Sequence, residues 1–185
     1  MADDPAKRVL AISGSLRRRS SNTALVNAAL QLAPAGVEVS VYAGLEHLPP
    51  FNPDLDGDLP PSAVEEFRAA LQGCDALLIS SPEYAHGVPG VLKNALDWVV
   101  SSGELVDKPV ALINTSSRAI HAWNSLAETL TVMSAQVVRE ASTIVPLDGT
   151  TLDSNGIAAD PRLSALIVAA LENLLGWTPD VRRHA

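Results

Sequence analysis

Cysteine occurs once in this 185-residue chain, as Cys74. A single thiol excludes an intrachain disulfide and a cysteine zinc cage. It follows Gly73 and precedes an apolar run, so a packed, inert sulfur is expected rather than a nucleophile. Every apolar run is too short to cross a bilayer. Basic residues are outnumbered 21 to 13 by acidic ones, a formal charge of −8. Affinity for nucleic acid and acidic membranes comes mainly from cationic side chains, so neither is expected as a partner. The opening Met1-Ala2-Asp3-Asp4-Pro5-Ala6-Lys7 is acidic and polar, unlike a secretory leader, which predicts a cytoplasmic location. Two nucleotide signatures are also missing. No Gly-Lys-Ser/Thr ends the first loop as a triphosphate site requires, and Gly14 is that loop's only glycine, so it is no Gly-x-Gly-x-x-Gly turn.

What is present is an ordinary globular composition, 47% apolar and 18% charged, at a length suited to one domain over residues 1–185. Apolar runs predict strands at 8–13, 37–42, 76–81, 109–114 and 136–145. The first, third and fourth are nearly continuous, as parallel strands covered on both faces are. Helical stripes lie between and after them: Leu25, Ala28, Ala29, Leu32; then Val64, Phe67, Leu71; then Val91, Leu92, Ala95, Leu96, Val99. Trp123, Leu126, Ala127, Leu130 and Met133 form a fourth, and Leu163, Leu166, Ile167, Ala170, Leu171 and Leu174 a fifth. Five strands alternating with five helices predict an α/β fold, a flavodoxin-like three-layer sandwich with a five-stranded parallel sheet in the order 2-1-3-4-5. Ligands of such sheets bind beyond the carboxyl ends of the strands, near the switch point. Loops at 13–22, 82–89 and 115–121 end there. The proline-rich stretch 48–54 and the stretch 148–160 read as long surface loops.

The first loop, Ser13-Gly14-Ser15-Leu16-Arg17-Arg18-Arg19-Ser20-Ser21-Asn22-Thr23, runs from a strand into a helix. Ser, Asn and Thr are N-cap types, and a helix start offers unpaired N–H groups with partial positive charge. Hydroxyls and arginine complete a site suited to a terminal monophosphate. By itself the loop reads equally well as a capped helix with solvated arginines. After the third strand comes Ser80-Ser81-Pro82-Glu83-Tyr84-Ala85-His86-Gly87-Val88-Pro89-Gly90-Val91-Leu92-Lys93-Asn94-Ala95-Leu96-Asp97-Trp98. Its prolines and glycines fix an irregular backbone that can offer N–H and C=O groups to a planar heterocycle.

Gly-Ser-Leu-Arg followed by Ser and Asn, together with Pro-Glu-Tyr-x-x-Gly-x-Pro-Gly-x-Leu-Lys-Asn-Ala-x-Asp-Trp, resembles the NADPH-dependent FMN reductase family of quinone-, chromate- and azo-reducing flavoproteins. The Leu-Pro-Pro-Phe-Asn-Pro-Asp stretch at 48–54 is similar to that family's loop after strand two. The resemblance implies that Ser15, Arg17, Ser20, Asn22 and Thr23 hold the FMN phosphate. It places Pro82, Glu83, Tyr84, Ala85, His86 and Gly87 along the isoalloxazine ring, many through backbone. Thr115, Ser116, Ser117 and Arg118 approach its pyrimidine end. It implies NAD(P)H-dependent reduction of quinones, flavin or similar small-molecule electron acceptors by ping-pong hydride transfer, with NADPH or NADH as co-substrate. The flavin supplies the redox chemistry, so no catalytic side chain and no metal is called for.

Relatives form dimers or tetramers, and a homodimer or homotetramer is expected. The apolar helix at 91–100 suits either a subunit contact or burial within one chain. Arg18, Arg19 and Arg118 are candidates to attract the nicotinamide cofactor's phosphates. His86 and His121 read as rim residues, and Lys93, Asn94 and Asp97 as capping or subunit contacts. The chain departs from the pattern twice: Ala85 stands where relatives often have Asn, and Ser116-Ser117-Arg118 where they often carry glycines. The alternatives are a flavodoxin-like electron carrier or flavin-binding module without NAD(P)H turnover, and a nucleotide-binding protein whose third loop excludes the ring.

Overall fold

A computed structural model of the protein describes residues 5–177. The first four residues of the stretch read for a leader lie outside that range. Strands β1 (Lys7–Ser13), β2 (Val37–Tyr42), β3 (Ala76–Ser80) and β4 (Pro109–Asn114) form a parallel sheet in the order β2-β1-β3-β4. The register sets Ser13 beside Ser80 and Ile12 between Tyr42 and Ile79.

The expected fifth strand is two short ones, so the sheet has six strands. Both β5 (Gln136–Val137) and β6 (Thr143–Ile144) pair parallel with β4. A single 3₁₀ turn, Arg139–Ala141, separates them. There Leu112 N–H donates to Ser142 Oγ at 3.0 Å, and that hydroxyl donates to the Val138 carbonyl at 2.8 Å. A side chain takes the place of a ladder carbonyl, which an apolar pattern does not foretell.

Alternation along the strands sorts the core into two layers. Val9, Ala11, Leu78 and Ile113 face helices α1 (Ser21–Gln31), α5 (Ser154–Ala159) and α6 (Pro161–Gly176). Leu10, Ile12, Ile79 and Leu112 face α2 (Ser62–Gln72), α3 (Gly90–Asp97) and α4 (Ile120–Val132). Burial on both faces is why β1, β3 and β4 are apolar at nearly every position. Each fully buried Leu or Ile contributes about 1.5–3 kcal/mol relative to exposure.

Two stretches read as surface loops are more structured than expected. Asp153 caps α5 by accepting from Gly156 N–H at 2.8 Å, and Ile157 plugs that short helix into the core. One buried residue in six leaves no stripe to read. In the stretch 48–54, Trp98 Nε1–H and Asn94 Nδ2–H both donate to the Pro49 carbonyl, while Phe51 N–H donates to Asn94 Oδ1. Asn94 is therefore the anchor of that segment. Lys93 and Asp97 form an i, i+4 ion pair. Most of the apolar surface at 91–100 is consumed within the chain: Leu92, Ala95, Leu96, Trp98 and Val99 are buried, and Val100 is exposed. Cys74 is buried as expected; burial pushes its thiol pKa up, with Lys108 opposing.

Candidate active site

The switch point lies between β1 and β3, because the chain leaves β1 for β2 on one side and returns to β3 on the other. Gly14 N–H donates to the Ser80 carbonyl at 2.8 Å, continuing the pairing one residue past β1. A Cβ at Gly14 would stand 2.5 Å from Ser81 Oγ, 3.0 Å from Ser81 Cβ and 3.1 Å from Leu92 Cδ2. Only a residue without a side chain lets the two loops come this close.

Hydroxyls then shape the first loop. Ser13 Oγ and Thr23 Oγ1 are hydrogen-bonded at 2.8 Å. Ser15 N–H donates to Ser13 Oγ, and Arg17 N–H to Ser15 Oγ, each at 3.3 Å. Ser20 is the N-cap of α1, its Oγ accepting from Thr23 N–H. The amides of Ser21 and Asn22 begin the helix and have no intrahelical partner, which leaves them for an anion. Arg17, Arg18 and Arg19 stand exposed beside this helix start.

Asn22 joins all three loops from within. It is buried, and its Oδ1 accepts from the fully buried Ser80 Oγ at 2.9 Å, with Thr115 Oγ1 at 3.5 Å. Asn22→Ala strands the Ser80 hydroxyl, so it is expected to lower stability by about 1–3 kcal/mol. Adding Ser80→Ala removes the stranded group, and the double variant should lose less than the sum. Urea unfolding of the four proteins checks this.

The second loop makes a tight turn. Tyr84 and Gly87 exchange backbone hydrogen bonds at 3.1 and 2.9 Å, and between them Ala85 and His86 are both left-handed, with φ of 49° and 59°. Asparagine suits such a position better than alanine, which is the physical content of the departure at Ala85. Glu83 reaches away from the turn: its Oε2 accepts from Ala122 N–H at 2.8 Å, capping α4. The His86 and His121 rings stack at 4.2 Å. Two side chains thus tie this loop to α4. Glu83→Ala should destabilise by about 1 kcal/mol and Glu83→Gln by less, since the amide oxygen still accepts; thermal unfolding separates them.

The third loop is folded by its own side chains. Asn114 donates to the Ala119 carbonyl and accepts from Ser116 N–H, and Ser116 Oγ accepts from Arg118 N–H. Arg118 pairs with Asp148 at 3.2 Å, and Leu147 N–H donates to the Thr115 carbonyl.

These loops border one cleft of about 870 Å³. Of the residues singled out from the sequence, Ser15, Arg17, Ser20, Asn22 and Thr23 line it from the first loop. Pro82, Tyr84 and Thr115 line it from the other two. Glu83, Ala85, His86, Gly87, Ser116, Ser117 and Arg118 belong to the bordering loops without lining it. The sequence reading missed the far wall, Leu147 to Ser154, and Asn27 on α1. The signal for that wall was slight: a Gly-Thr-Thr after the last strand, with Gly149 at φ 71°. A helix start, hydroxyls and guanidinium at one end of a cleft this size fit a mononucleotide carrying a phosphomonoester.

The sequence profile described as NADPH-dependent FMN reductase matches residues 7–149. An NAD(P)H-dependent FMN reductase of Pseudomonas aeruginosa is 33% identical, the match covering 98% of this chain and 100% of that protein. A 2-hydroxy-1,4-benzoquinone reductase of a Burkholderia species is 31% identical over 96% of this chain and 99% of its own. Among solved structures, a flavoenzyme NAD(P)H:(acceptor) oxidoreductase of Paracoccus denitrificans superposes with a TM-score of 0.71 at 26% identity, covering 92% of this chain and 98% of that one. With the switch-point cleft and both of its motif loops in place, this chain belongs to the NADPH-dependent FMN reductase family and is an NAD(P)H-dependent oxidoreductase with FMN as its cofactor.

Proposed function

We propose that the chain works as one domain in which FMN lies with its phosphate on the start of α1 and its ring beside the turn at Tyr84–Gly87. The observation that carries this is the close approach of the two loops at Gly14, whose N–H meets the Ser80 carbonyl. FMN held there would supply the redox chemistry, two-electron exchange between NAD(P)H and a small acceptor. The protein binds and orients. Ser21 and Asn22 amides, Ser15 Oγ and the Arg17 guanidinium oppose the phosphate charge. Pro82 and Tyr84 confine the ring from the side of β3, and Thr115 from the side of β4. With the same cleft to serve both, donor and acceptor would occupy it in turn, so parallel-line, ping-pong kinetics are expected.

Quinones and free flavin are the acceptors this reading favours, in line with the names of the relatives described above. Among the described residues, no helix is long and apolar enough to cross a membrane, in keeping with a cytoplasmic enzyme. Exposed Phe51, Leu55 and Val100 lie on segments joined through Trp98 and Asn94, which supports a homodimer or homotetramer through that side.

The test is direct. Protein supplied with FMN and freed of excess should show bound-flavin absorption and oxidise NADPH when a quinone is present. No retained flavin refutes the binding claim. Retained flavin that NAD(P)H does not bleach leaves a flavin-binding module instead. Light scattering at the monomer mass refutes the oligomer.

A further inference from the structure

We propose that Arg18 and Arg19 bind a second phosphate in the same cleft, the 2′-phosphate that distinguishes NADPH from NADH. This rests on the flavoenzyme reading above and goes beyond it by assigning the choice of nicotinamide cofactor to particular residues.

Charge accounting is the first argument. A phosphomonoester carries about two negative charges. The start of α1, the serine hydroxyls and Arg17 already oppose one such group. Arg18 and Arg19 are then in excess. Both are exposed, both line the cleft, and among the described residues neither forms an ion pair. A chain of net charge −8 has 13 basic residues, and three of them stand in succession on this rim.

Room and complementary chemistry are the second. The cleft, at about 870 Å³, lies toward the upper end of the range for one small ligand. Its far wall presents the Thr151 hydroxyl, the Thr150 oxygen, which can still accept while its proton goes to the Leu147 carbonyl, and the Asp153 carboxylate oxygen left over from capping α5, groups suited to ribose hydroxyls. Those three residues follow the segment that the family profile matches, which ends at 149. A phosphate on one side and sugar hydroxyls on the other describe a 2′-phosphorylated ribose. Arginine suits the phosphate because its fork of N–H donors matches the oxygens bidentately.

The experiment titrates FMN-loaded protein, by calorimetry, with adenosine 2′,5′-bisphosphate and with adenosine 5′-monophosphate. Wild type is compared with the double variant Arg18→Gln/Arg19→Gln. Wild type should bind the bisphosphate at least tenfold tighter, and the double variant should lose that difference. The ratio of kcat/KM for NADPH to that for NADH should fall at least tenfold, mainly through KM. Equal binding of the two probes by wild type overturns the proposal, as does an unchanged ratio. FMN affinity lost to the same extent as bisphosphate affinity also overturns it, since the arginines would then serve the flavin phosphate. Failure of wild type to retain FMN would refute the flavoenzyme reading, and the bisphosphate titration of the flavin-free protein would still decide for or against the arginine pair.

Discussion

Gly14→Val is expected to lower FMN affinity at least a hundredfold. The residue sits where β1 gives way to the loop proposed to hold the phosphate, and its amide donates to the Ser80 carbonyl at 2.8 Å. A Cβ there would meet Ser81 Oγ at 2.5 Å, Ser81 Cβ at 3.0 Å and Leu92 Cδ2 at 3.1 Å. The serine hydroxyl can rotate away, but its Cβ cannot move without the backbone of the second loop. A valine adds two further carbons against Leu92, which α3 holds in the core. Overpacking of this kind costs about 1–3 kcal/mol of stability. The larger effect falls on binding, because separating the loops moves the start of α1 away from the turn proposed to lie beside the ring, so that phosphate and ring contacts are no longer made together, and about 1.4 kcal/mol of lost contact is tenfold in affinity. Gly14→Ala should be milder, about tenfold. Adding Ser81→Gly removes two of the three close contacts and should restore part of the affinity. Fluorescence titration with FMN reads all four proteins. Normal affinity in Gly14→Val would show that the two loops do not need this approach.

Arg68→Ala should give the largest loss of stability, about 3 kcal/mol, the lower end of the range for removing one member of a buried charged cluster, because Arg68 and Asp56 are only partly buried. Arg68 lies on α2, and its Nε and Nη2 donate to the Trp98 carbonyl at 3.2 and 2.6 Å. Nη2 also pairs with Asp56, and Nε lies 4.0 Å from Glu104. The side chains of Asp56 and Glu104 are only 8% and 2% exposed, so both carboxylates would be left without their cation. The Trp98 carbonyl at the end of α3 would lose its donor as well. For a domain of this size, each kcal/mol shifts the melting temperature by about 2–4 °C. Differential scanning calorimetry should therefore show a fall of about 6–12 °C.

The same cluster makes stability pH-dependent. The Ser101 hydroxyl and then Arg68, both hydrogen-bonded to Asp56, hold its carboxyl below the ordinary carboxylate value. The folded pKa is thus lower than the unfolded one. The contribution is fully present above the ordinary carboxylate range and disappears as pH falls through the folded pKa. Asp56→Asn should flatten that part of the urea-stability profile between neutral and acid pH. An unchanged profile would mean that other carboxylates dominate.

Legibility differed from element to element. Strands β1, β3 and β4 were readable because burial on both faces writes itself as unbroken apolar runs, β2 because its valines alternate with polar residues at the sheet edge, and α1, α2, α4 and α6 because one buried face writes a 3.6-residue stripe. The break between β5 and β6 was not, since it depends on Ser142 reaching Leu112 across the sheet. Nor was α5, where one buried residue, Ile157, supports a helix held by its Asp153 cap. At the site, the loops after β1 and β3 carry local motifs and were visible. The wall from Leu147 to Ser154 was not, because it joins the cleft through a backbone bond from Leu147 to Thr115, 32 residues earlier in the chain.

Sequence alone determined the alternation of strand and helix, the switch-point address of the candidate cleft and the two motif loops that border it, because each follows from the periodicity or turn chemistry of neighbouring residues. Tertiary structure decided which side chains face the cleft and which serve the scaffold. It gave Glu83 to the start of α4, Asn22 to Ser80 and Asn94 to the loop at 48–54. A side chain's task depends on which polar partner lies within about 3 Å once the chain has folded, and such partners here come from segments 39 to 58 residues away.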